Sequence, residues 1–127
     1  MGPATLVDSI LGLGRQANGE DVLVAKGNCG IPQYDDGKIV YSGTPEIMAD
    51  YARMARDAGA RIIGGCCGTT ADHVRAMVEA LKDYTPGSQP DRAAIESVLG
   101  PVDVAPTQPD GEEGGEGARR RRSRRRG

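Results

Sequence analysis

The sequence predicts an α/β fold assembled from parallel β/α units. Two observations carry that expectation: short apolar strand runs alternate with amphipathic helix stripes, and the connections between them are short. A third is that each strand run ends in a glycine-containing loop, at Gly27 to Pro32 and at Gly64 to Gly68. Glycines there let the backbone turn sharply or approach a ligand closely.

The elements follow in order. Leu6, Val7, Ile10, Leu11 and Leu13 recur at three- and four-residue spacing and predict a helix over 4–17, closed by Asn18-Gly19. Val22-Leu23-Val24-Ala25 is a continuous apolar run, as expected of a strand covered on both faces. The turn Lys26-Gly27-Asn28-Cys29-Gly30-Ile31-Pro32 follows it. Asp36-Gly37 then signals a tight hairpin whose return arm is Ile39-Val40-Tyr41. Thr44-Pro45-Glu46 combines an N-cap, a first-turn proline and an acid at the positive end of the helix dipole. Ile47, Met48, Tyr51, Ala52, Met54, Ala55 and Ala58 form the buried face of that second helix, with Gly59 at its end. Arg61-Ile62-Ile63 is the next strand. Thr69 or Thr70 caps a third helix with Val74, Met77, Val78 and Leu81 turned inward, and a shorter helix spans 92–99.

Composition narrows the classes. Residues 1–100 carry 9 Lys/Arg against 13 Asp/Glu, net −4, whereas residues 101–127 carry 7 against 5, net +2. The latter stretch is Pro, Gly, Glu and Arg with little apolar content, and it reads as a disordered tail. Seven arginines in 119–126, interrupted only by Ser123, can neutralise phosphates. The preceding Glu112, Glu113 and Glu116 offset that charge, and no aromatic lies nearby to stack on bases. A solvated extension is the simpler reading, and no nucleic-acid partner is expected. No segment has the roughly 18 apolar residues of a membrane helix, and the amino terminus has no signal-type hydrophobic region. The expected location is the cytoplasm. Three cysteines without a secretory signal fit metal or thiol chemistry better than a disulfide framework.

The chemistry concentrates in Arg61-Ile62-Ile63-Gly64-Gly65-Cys66-Cys67-Gly68-Thr69-Thr70. Adjacent thiolates at a strand's carboxyl end can hold one soft metal ion, most simply zinc. The bland alternatives are two buried structural thiols or a strained vicinal disulfide.

The block Gly64-Gly65-Cys66-Cys67-Gly68-Thr69 with His73 beyond it, preceded by the Asn28-Cys29-Gly30 turn, resembles the homocysteine S-methyltransferase family over residues 3–84. The resemblance implies the carboxyl-terminal part of a (β/α)8 TIM barrel, about two β/α units starting inside the sixth, with chemistry at the strands' carboxyl ends. Residues 1–84 would form that portion, 85–100 a peripheral helix and 101–127 the disordered tail. It further implies zinc-dependent methyl transfer to the homocysteine thiol, with Cys66 and Cys67 as metal ligands and Asn28 either binding substrate or bracing its own turn. Small methyl donors are implied, betaine ahead of methyltetrahydrofolate and S-methylmethionine.

The family's first cysteine ligand falls, by alignment, just before Met1. Cys29 occupies a small-residue position, either packed under its turn or recruited as a third ligand. His73 is expected to pack rather than bind metal. With the earlier strands absent, the chain alone is expected to be inactive, and a homo-oligomer or a complementing chain is implied. The rival reading is a non-catalytic zinc-holding scaffold whose arginine tail binds nucleic acid or an acidic partner.

Overall fold

A computed structural model of the chain describes residues 1–30 and 32–103. The arginine run and most of the predicted tail lie outside the described residues, as does Ile31.

The order is α1 (Pro3–Gly14), β1 (Leu23–Gly27), β2 (Pro32–Asp35), β3 (Lys38–Tyr41), α2 (Pro45–Asp57), β4 (Ala60–Gly65), α3 (Ala71–Leu81) and α4 (Arg92–Leu99). The chain is a mixed α/β structure. β1 and β4 lie side by side in parallel, with Val24 opposite Ile62 and Gly27 opposite Gly65. β2 and β3 form a separate antiparallel hairpin that pairs Pro32 with Tyr41. Its two-residue turn has positive φ at both Asp36 (47°) and Gly37 (77°). That geometry matches the right-handed twist of the flanking strands, and Asp-Gly adopts it readily.

The helix signals act as predicted at α2. The Thr44 hydroxyl accepts from the Ile47 N–H at 3.2 Å, Pro45 sits in the first turn and Glu46 follows. Met48, Tyr51, Ala52 and Ala55 are buried between α1, the sheet and α3. Val7 and Ile10 of α1 and Ile95 of α4 join the same core. α4 packs on α1 and α2. Val102 is buried beside it, and the Asp103 N–H donates to the Thr5 hydroxyl at 3.0 Å.

Four expectations about burial change. Val24 is 53% exposed, so the β1 run is covered only on the face that carries Ala25 and Gly27. Leu13 lies past the part of α1 that the core reaches and is 57% exposed. On α3, Met77 and Ala80 are buried, whereas Val74 and Val78 point to solvent. The cause is geometric: α3 touches mainly α2, so only a narrow stripe of it is covered. Apolar content marks what a helix can bury, and neighbours decide what it does bury.

Candidate functional site

Parallel pairing puts the carboxyl ends of β1 and β4 side by side, and two backbone hydrogen bonds extend the ladder into the loops. The Cys66 N–H donates to the Gly27 carbonyl at 2.7 Å, and the Cys29 N–H donates to the Cys67 carbonyl at 2.9 Å. The Asn28 turn and the cysteine loop thus form one surface.

Cys66 and Cys67 are both exposed, with their sulfurs 3.9 Å apart and unbonded. Neither is a buried structural thiol. A tetrahedral zinc with Zn–S near 2.3 Å separates two of its sulfurs by about 3.8 Å. The pair therefore fits two ligand positions of such an ion. Among the described residues, no third His, Cys, Asp or Glu completes a cluster of three. A cleft of about 200 Å³ among Gly2, Thr5, Gly30, Gly43 and Leu99 lies nearby but is lined by neither cysteine, so the pair stands on open surface.

Cys29 turns the other way. Its thiol is fully buried and donates to the Gly43 carbonyl at 3.0 Å, and burial pushes its pKa up. The Gly43 N–H returns a bond to the Cys29 carbonyl at 3.0 Å. Cys29 is the small residue under the turn. A side chain at position 43 would collide with the Cys29 sulfur, so this corner admits only glycine without rearrangement.

His73 uses both ring nitrogens structurally. Nδ1 lies 3.0 Å from the Thr70 backbone N–H, which can only donate, so Nδ1 accepts and Nε2 carries the proton. Nε2–H then donates to the Gly43 carbonyl at 3.0 Å. The Thr70 hydroxyl, 2.7 Å from Nδ1, donates to it as well. Thr70 is accordingly the N-cap of α3. His73 locks the start of α3 to the corner holding Cys29, as a packing residue. Asn28 is half-buried; its backbone N–H donates to the Met1 carbonyl at 3.1 Å, and its carbonyl accepts from Gly30 at 2.9 Å. No side-chain hydrogen bond of Asn28 to another described residue occurs.

Tyr41, the last residue of the hairpin's return arm, belongs to this surface. Its ring lies directly over Gly68, the residue that follows the cysteine pair. Burial, and after it the neighbouring Cys67, raise the Tyr41 pKa. The signal existed: a two-residue turn at Asp36-Gly37 fixes the register that returns Tyr41 opposite Pro32, beside the Asn28 turn.

A β/α unit with two exposed, adjacent free thiols at the strand's carboxyl end defines a paired-thiol site of the α/β class. The sequence profile described as homocysteine S-methyltransferase matches residues 3–81, more than half of the chain. The chain belongs to the homocysteine S-methyltransferase family. Among the described residues, no helix is long and apolar enough to cross a membrane.

Proposed function

We propose that this chain forms the last β/α units of a zinc-dependent barrel that transfers a methyl group to the thiol of homocysteine, giving methionine. The observation that carries the reading is the cysteine pair, 3.9 Å apart on the β4–α3 loop, in a chain whose family acts on that thiol. When bound, zinc would hold the substrate sulfur as a thiolate, the form that attacks a methyl carbon; a free thiol with a pKa near 8.5 is mostly protonated at neutral pH.

Cys66 and Cys67 would supply two of about three protein ligands, leaving one position for substrate. Since Cys29 is committed to Gly43, the third ligand would come from a strand outside these residues, in the same polypeptide or in a complementing chain. Asn28, half-buried in the turn that adjoins the cysteine loop, would present its amide to substrate. Betaine is our favoured methyl donor. The barrel reading draws support from the sheet: Val24 and Ile62, paired across it, are half-exposed on the face turned from the helices, where a closed barrel would cover them.

The test replaces Cys66 and Cys67 together with serine and compares zinc content of the purified chain with wild type. Zinc should be lost with the pair; unchanged zinc would sink the reading. The 127-residue chain by itself should form no methionine from homocysteine with any of the three donors, and a robust rate would overturn the two-unit assignment.

A further inference from the structure

The chain holds two asparagines, Asn18 and Asn28, and the fold treats them in opposite ways. Asn18 lies with Gly19 in the loop between α1 and β1, and both are exposed. The Asp21 N–H donates to the Asn18 carbonyl at 3.0 Å, and the Asn18 N–H donates to Oδ2 of Asp21 at 2.8 Å. These bonds shape a turn over 18–21, and the Gly19 N–H and the Asn18 side-chain amide take no part in them. Glycine has no β-carbon to shield its own nitrogen. A β-carbon built on Gly19 would meet nothing within 4 Å, so the turn is open on that side. Asn28 differs on each count. It is half-buried, and the nitrogen that follows it, on Cys29, is bound to the Cys67 carbonyl at 2.9 Å.

We propose that Asn18 is a site of spontaneous covalent modification, at which the Gly19 nitrogen attacks the Asn18 side-chain amide and the residue ends as aspartate or isoaspartate. In the first step the Gly19 nitrogen forms a bond to Cγ of Asn18 while the Cγ–Nδ2 bond breaks. The proton of the Gly19 N–H leaves with the amide nitrogen as ammonia, and a cyclic succinimide remains. Water then opens the ring. Cleavage between the Gly19 nitrogen and Cγ restores the ordinary backbone, now with aspartate. Cleavage between that nitrogen and the backbone carbonyl carbon leaves the chain running through Cβ and Cγ, as isoaspartate. Water is the only reactant consumed and ammonia the only molecule released. Asn18 lines a hollow of about 530 Å³ with Asp21, Arg56 and Arg61 at the amino ends of β1 and β4. The new carboxylate therefore appears beside two guanidiniums, at the opposite strand ends from Cys66 and Cys67. The isoaspartate form also adds a carbon to the backbone inside the 18–21 turn and disturbs its two hydrogen bonds.

The test incubates the full chain in neutral buffer at physiological temperature beside a synthetic peptide of residues 14–23. Intact mass reads the exchange of an amide NH2 for OH, and peptide fragmentation assigns the site and separates aspartate from isoaspartate. Asn18 should convert in the folded chain while Asn28 stays intact. G19P removes the attacking N–H, suits the second position of the 18–21 turn and should abolish conversion. G19A keeps the N–H, meets no neighbour and should slow conversion; it decides the matter if G19P fails to fold. Conversion at Asn28 as fast as at Asn18 would overturn the proposal. An intact Asn18 after the peptide has converted fully, or conversion at the wild-type rate in a folded G19P or in G19A, would do the same. Neither zinc nor methyl transfer is read, so the outcome is independent of the methyltransferase reading.

Discussion

The backbone N–H of Cys29 donates to the carbonyl of Cys67 at 2.9 Å, yet their thiols part. Cys67 is exposed beside Cys66, and Cys29 is buried against the Gly43 carbonyl. Proximity along a parallel ladder therefore did not make a three-cysteine site. The ladder aligns backbones, while each residue's direction from the strand end decides which side its sulfur occupies.

Removing the Cys29 sulfur should affect stability and spare the metal site. C29A loses one buried hydrogen bond and leaves a small void, a cost of about 1–2 kcal/mol. Urea unfolding should show a lower midpoint, while zinc content matches wild type. A folded C29A chain without zinc would make Cys29 a ligand after all.

Gly68 and Tyr41 should be energetically coupled. G68A places a β-carbon against the Tyr41 ring at a residue with φ of +78°, and the expected loss is about 1–3 kcal/mol. In the double variant G68A/Y41A the ring is gone and only the backbone strain remains. The double should be less destabilised than the sum of the singles by about 0.5 kcal/mol or more, read from a denaturation cycle. Simple additivity would show that the ring does not press on this glycine.

Tyr51 predicts an alkaline limit to stability. Its side chain is fully buried, its hydroxyl donates to the Gly64 carbonyl at 3.3 Å, and burial pushes its pKa up to about 12. Below pH 10 both folded and unfolded states hold the proton, so this tyrosine adds no pH dependence. Between 10 and 12 the unfolded chain releases it first, and stability falls as pH rises, by roughly 2–3 kcal/mol for this group. Cys29, Tyr41 and Tyr84, all raised, act in the same direction. Unfolding free energy measured from pH 8 to 12 should decline, and Y51F should flatten part of the slope. An identical slope in Y51F would place the loss elsewhere.

Much of this could be read from local signals. Thr44-Pro45-Glu46 starts α2, Asp36-Gly37 turns the hairpin, and the strand–Gly-Gly-Cys-Cys–helix order puts the cysteines at a strand's end. Each depends on a few neighbouring residues whose conformational preference outweighs their surroundings. Val74 and Val78 were not readable in this way, since an apolar stripe does not reveal whether a neighbour covers it.

The sequence by itself determined the element order, the family block and the place of the thiol pair at a strand's carboxyl end, because these reside in contiguous residues and their backbone angles. Only the tertiary structure decided that Cys29 turns inward, that His73 bridges Thr70 and Gly43, and that the Tyr41 ring covers Gly68. Those relationships join residues 14, 30 and 27 positions apart. They depend on strand register and on which side of a loop each side chain leaves, and no local preference encodes either.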